Sequence, residues 1–131
     1  MENLNIEGSW KSPHVTLKTT GEFEIWGRSL PENVLDIYTP IFEWLDAYSK
    51  NPATETKVDV KLEYFNTSSS KLLFEIFKRF EKLNKNGNKI SVNWYFEEDD
   101  ADLEEEGKMF AKLVDVPINM ISVKEFDFTF I

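Results

Sequence analysis

The densest run of side chains able to take up a charged group is Asn66-Thr67-Ser68-Ser69-Ser70, followed at once by Lys71. Four hydroxyls and an amide in succession can do three things. They can cap a helix by accepting hydrogen bonds from its unpaired first N–H groups. They can hold an anion at the positive end of the helix dipole, or a hydroxyl among them can be phosphorylated. Three serines and a threonine exceed what one cap requires. Lys71 is placed to sit beside a phosphate on the loop.

Two elements must position this run. Val58, Val60, Leu62 and Tyr64 alternate with Asp59, Lys61, Glu63 and Phe65, the period of a strand with one wet face. Leu72, Leu73, Ile76, Phe77, Phe80 and Leu83 then fall on one side of a 3.6-residue helix. The run is therefore a strand-to-helix turn between a strand over about 56–65 and a helix over about 69–85. That helix carries Lys71, Lys78, Arg79, Lys82 and Lys85 against Glu75 and Glu81, a basic face in an acidic chain.

The remaining chain supplies the frame. Residues 1–12 read as an irregular or short edge strand. Val15, Leu17, Phe23 and Ile25 flank Thr19-Thr20-Gly21 as a hairpin. Leu30-Pro31-Glu32-Asn33 reads as a helix start, and Val34, Leu35, Tyr38, Phe42, Leu45 and Tyr48 follow as an apolar stripe. Pro40 lies inside that stripe and predicts a kink or two abutting helices. After Asn86-Gly87-Asn88, a strand through Ile90, Val92, Trp94 and Phe96 precedes a third helix with Leu103, Phe110, Leu113 and Val114 as its apolar positions. Residues 119–131 read as a last strand, with Phe126, Phe128 and Phe130 at period two. The order ββ-α-β-α-β-α-β, with alternating rather than continuously apolar strands, predicts an α/β fold: a mixed sheet with helices mainly on one face. The four tryptophans, Trp10, Trp26, Trp44 and Trp94, are expected in the core. Trp26 and Tyr95 mark a partner surface if they lie on a bare sheet face.

At 131 residues the chain suits one domain over 1–131, burying roughly two-thirds of its unfolded surface. It has no cysteine, so disulfides, thiolate nucleophiles and the usual zinc sites are excluded, and a reducing cytoplasm fits. No signal peptide or membrane span is recognisable. Fifteen basic residues against 24 acidic give a net charge of −9, which disfavours nucleic acid as a partner.

Other candidates carry less. The acidic run from Glu97 to Glu106 suits the positive end of a helix. Asp99, Asp100 and Asp102 lack the spacing of a calcium loop, so no metal is expected; an acidic patch for a basic partner is a further use. His14, the single histidine, reads as a surface or strand-edge residue. No nucleophile elbow, metalloprotease motif, phosphate loop or dinucleotide fingerprint occurs. No cofactor and no catalytic residue are expected. The alternative is a small-molecule-binding or hydrolytic domain using the acidic loop after the Trp94 strand.

Tyr64-Phe65-Asn66-Thr67-Ser68-Ser69-Ser70-Lys71, with Leu30-Pro31-Glu32-Asn33 and Phe42-Glu43-Trp44-Leu45 upstream, resembles the SiaC family of bacterial regulatory phosphoproteins. The resemblance implies a fold similar to STAS domains and a non-enzymatic switch. A partner kinase would phosphorylate the motif threonine, Thr67, and a PP2C-type phosphatase would remove the phosphate. The unmodified form would engage an effector such as a diguanylate cyclase, which makes cyclic di-GMP. Asn66, Ser68, Ser69, Ser70 and Lys71 would then form the loop around the phosphate.

Overall fold

The structure is a computed structural model, and it describes residues 1–128. Nine elements follow in the order β1 (Leu4–Ile6), β2 (His14–Leu17), β3 (Glu22–Ser29), α1 (Val34–Tyr48), β4 (Glu55–Phe65), α2 (Thr67–Lys85), β5 (Lys89–Glu97), α3 (Ala101–Leu113) and β6 (Ile118–Val123). The strands form one six-stranded sheet in sequence order. β1, β2 and β3 pair antiparallel, and β3 through β6 pair parallel. Each of the three parallel crossovers steps one strand in the same direction. Right-handed crossovers of that kind put all three helices on one face, as the alternation of the strands predicts.

The core lies between that face and the helices. Phe23 and Ile25 of β3, Val58, Val60 and Leu62 of β4, and Ile90, Val92 and Trp94 of β5 meet Tyr38, Ile41, Leu45 and Tyr48 of α1 and Leu73, Ile76, Phe77 and Phe80 of α2. Trp94, 1 % exposed, packs against Phe77 and Phe110 and donates its indole N–H to the Leu103 carbonyl at 3.1 Å. Gly107 of α3 makes this possible: a Cβ there would meet Trp94 Cδ1 at 2.5 Å.

Several expectations are corrected. α1 begins at Val34, so Leu30 and Pro31 precede it and Asn33 is the cap position, without a side-chain cap bond. It runs as one helix through Pro40, whose exposed position leaves the carbonyl lacking its helical N–H partner on the solvent side, where water can replace the bond. Leu35, at the exposed first turn of α1, is 56 % accessible, and Ile41 takes the core position instead. Leu113 of α3 is exposed, and so is Trp10, whose ring lies under the Lys11 ammonium at 4.9 Å in the loop before β2. The last strand stops at Val123; Phe126 and Phe128 lie beyond it and outside any strand, and Phe130 falls outside the described residues. Trp26 and Tyr95 do lie on the helix-free face, where Trp26 stacks on His14 and Tyr95 lies under Lys61.

Candidate functional site

The turn Phe65–Ser70 sits at the carboxyl end of β4, and its shape is set from the neighbouring strand. Gly27, with φ of 107°, occupies a backbone conformation that costs a side-chain-bearing residue energy. There the register between β3 and β4 slips: Gly27 pairs with Leu62 and Arg28 with Tyr64, leaving Glu63 unopposed. The slip places Ser29 beside Phe65, and the Ser29 carbonyl accepts from the Asn66 N–H at 3.0 Å. Arg28 Nη2 donates to Glu63 Oε1 at 2.7 Å on the helix-free side.

Asn66 is the N-cap of α2. Its backbone is extended, its Oδ1 accepts from the Ser69 N–H at 2.9 Å, and its carbonyl accepts from the Ser70 N–H at 2.9 Å. One amide therefore does the capping, and the hydroxyls are released for other roles. They divide sharply. Thr67 and Ser68, in the first turn, are exposed; Ser69 is 0 % accessible and Ser70 is half-buried. Lys71 is exposed one turn on from Thr67, at the i+4 spacing that places two side chains on one helix face.

Ser69 belongs to a buried hydroxyl chain. Ser29 Oγ donates to Ser69 Oγ at 2.8 Å and lies 2.6 Å from the Tyr38 hydroxyl. Since Ser29 has one hydroxyl proton and spends it on Ser69, Tyr38 must donate to Ser29. Burial pushes the Tyr38 phenol up to about 12, against the lowering effect of its serine partners. The chain ties α1, β3 and α2 together directly beneath the turn. Sequence reading assigned no role to Ser29 and placed Tyr38 in the apolar stripe of α1 without a use for its hydroxyl. The available signal was Ser29 itself, a polar residue at the parity of Phe23 and Ile25, where β3 faces the core.

The basic face of α2 is largely neutralised. Lys78 and Lys85 both reach Glu81 Oε1, at 2.8 and 3.6 Å, and Arg79 pairs with Asp46 at 3.0 Å while stacking over Phe42. The hydrogen bond from Lys78 and a second from the Asp115 N–H bring the Glu81 carboxyl down to about 2. Among the described residues, Lys71 and Lys82 stand outside these ion pairs. Thus the cation nearest the exposed hydroxyls in sequence has no competing carboxylate.

On the other flank, Glu63, Tyr64, Phe65, Asp100, Asp102, Leu103, Glu105 and Glu106 line an open groove of about 470 Å³. Asp100 is committed to capping α3, accepting from the Leu103 N–H at 3.0 Å. Among the described residues, no group of three or more His, Cys, Asp or Glu side chains is arranged to hold a metal ion. His14 is remote in role as well as type: its ring stacks on Trp26 at 3.9 Å and its Nδ1 accepts from the Gly8 N–H. No helix among the described residues is long and apolar enough to cross a membrane.

This architecture has close counterparts. The structure of SiaC of Pseudomonas aeruginosa superposes with a TM-score of 0.84 at 25 % identity, covering 94 % of this chain and 100 % of that one. A crystal structure of the P. aeruginosa diguanylate cyclase SiaD in complex with its activator SiaC contains a chain of the same fold, with a TM-score of 0.84, 22 % identity, and coverage of 92 % and 99 %. In sequence, an uncharacterised protein of P. aeruginosa strain UCBPP-PA14 is 27 % identical over 98 residues, 74 % of this chain and 78 % of that protein. The sequence model for SiaC family regulatory phosphoproteins matches residues 6–123, a span that takes in every strand but part of β1 and the whole hydroxyl turn, so the chain belongs to the SiaC family.

Proposed function

We propose that Thr67 is the phosphoacceptor of a regulatory switch, and that its state controls binding of an effector protein of the diguanylate cyclase class. A partner kinase adds the phosphate and a PP2C-type phosphatase removes it. The observation that carries this reading is the division of the four hydroxyls: Thr67 is exposed at the first turn of α2, whereas Ser69 is sealed in the core. The family resemblance selects Thr67 over its exposed neighbour Ser68. SiaC of P. aeruginosa is the activator of a diguanylate cyclase, SiaD, in the complex with which this chain shares its fold.

The physics follows from the placement. A phosphate on Thr67 adds about −1.5 to −2 charges at neutral pH. The α2 dipole and Lys71 favour it in the free chain. A partner packed on the unmodified turn would have to desolvate that group, so binding is lost. The chain itself supplies no catalytic group; it supplies a surface with two charge states.

The test is phosphopeptide mapping of the protein from its native host, joined to affinity capture of the effector by unmodified, phosphorylated and Thr67→Ala chains. Phosphate is expected on Thr67, and capture is expected from the unmodified and Thr67→Ala chains but not from the phosphorylated one. Phosphate found solely at other positions, or equal capture by all three, overturns the proposal.

A further inference from the structure

The helix-free face of the sheet is covered in part by the chain itself. Beyond Val123, at the end of β6, the backbone turns back across this face. The Phe126 N–H donates to Glu97 Oε2 on β5 at 2.8 Å. The Phe126 and Phe128 rings stack at 4.9 Å, and Phe128 lies 5.1 Å from Trp26 on β3, which also stacks on His14 of β2. From β6 to β3 is three interstrand spacings, about 14 Å. Five extended residues reach about 17 Å. Residues 124–128 therefore cross nearly taut, with both phenylalanines half-buried and Asp127 between them exposed.

Two features set this segment apart. It lies wholly outside the span matched by the family, which ends at Val123. It also lies outside any strand: its contacts include the bond from the Phe126 N–H to the Glu97 side chain, packing of Phe126 against the edge of the core, and the ring contact of Phe128 with Trp26. We infer that the helix-free face is a docking surface for an extended segment with aromatic side chains at alternate positions, and that residues 124–128 are its resident ligand, a detachable strap. Trp26 and His14 provide the aromatic platform, and Glu97 provides the acceptor for a backbone N–H. A tethered ligand acts at an effective concentration in the millimolar range for a short connection, so the strap shuts the face against weaker segments until it is displaced.

The test uses the full chain and a variant carrying Phe126→Ser and Phe128→Ser, with a synthetic peptide of residues 124–131 as probe, followed by the NMR signals of the Trp26 indole and the His14 ring. The variant is expected to shift both signals, and the peptide to restore them. The peptide should bind the variant at least about 10-fold more tightly than the unaltered chain, because the resident strap lowers the open fraction. A peptide with both phenylalanines replaced by serine should bind neither. Unchanged signals in the variant, failure of the peptide to restore them, or equal affinity for the two chains overturns the inference. Exchange of the Phe126 amide in the unaltered chain is a separate reading: protection is expected, and exchange as fast as in the free peptide overturns it without any variant.

Discussion

Removing one hydroxyl at a time from beneath the turn should expose the direction of its hydrogen bonds. Tyr38→Phe deletes a donor and leaves Ser29 still donating to Ser69 at 2.8 Å, so the loss is one buried hydrogen bond, about 1 kcal/mol. Ser29→Ala is worse. It removes the 2.6 Å partner of the Tyr38 hydroxyl, on a side chain 0 % accessible, and the bond to Ser69 as well, leaving Ser69 as the phenol's remaining serine partner; about 2 kcal/mol is expected. Both single variants lose the bond between Tyr38 and Ser29, so the cost of the double variant should fall short of the sum by about 1 kcal/mol. For a domain of this length each kcal/mol lowers Tm by about 3–5 °C, which separates the two single variants clearly. Urea unfolding at neutral pH measures all three. Additivity within about 0.3 kcal/mol, or a Ser29→Ala chain as stable as Tyr38→Phe, refutes the assigned direction. The alkaline limb supplies an internal check. Tyr38 titrates at about 12 in the folded chain against 10.0 ordinarily. Its contribution is fully present below about pH 10 and is lost as pH rises toward 12, because the unfolded chain releases the proton first. Tyr38→Phe should remove that part of the alkaline decline.

Asn66→Ala should cost about 1 kcal/mol by deleting the cap on the Ser69 N–H, while Asn66→Asp, which can accept the same bond, stays near the parent; chemical denaturation with amide exchange at Ser69 distinguishes them, and equal stability of all three chains would count against the cap. Glu81→Gln should flatten the acid limb. The Glu81 carboxyl is held at about 2, first by its hydrogen bond with Lys78, so its stabilisation is present above about pH 4.5 and lost as pH falls toward 2. Melting curves across that window should decline more steeply for the parent than for the variant, and parallel declines would exclude Glu81 as a contributor.

The sheet and helices were legible because periodicity reports directly on which face is buried, and β3, β4 and β5 alternate fully buried positions with half-buried or exposed ones. Individual positions were less so. Leu35 and Leu113 fit a helical stripe yet point outward, because a stripe wider than the available contact leaves its margin exposed. The phenylalanines after Val123 keep a strand's period without a strand's partner; the same alternation suits a segment lying with one side on an aromatic surface. At the turn, composition identified the hydroxyls but gave no order among them. Ser69 was indistinguishable from Ser68 until the position of Ser29, 40 residues earlier, was known. A hydrogen bond of that sequence separation leaves no local signal.

The buried chain also decides how a phosphate at the proposed site can act. Opening the turn would break the Asn66 cap, the bond from the Asn66 N–H to Ser29 and the contacts of Ser69, a cost of several kcal/mol by the magnitudes above. A doubly charged group on Thr67 offers no repayment for that loss. At the first turn of α2 it gains about 0.3–1 kcal/mol from the helix dipole and more from Lys71, and both gains require the helix to stay formed. The proposed phosphorylation would therefore hold the turn in its present shape, and its signal would not be a refolding of this chain. It must be read by whatever docks on the turn, as a change in charge and bulk on a fixed surface. The rigidity that seals Ser69 away would let a phosphate on Thr67, two residues earlier, be presented in one geometry.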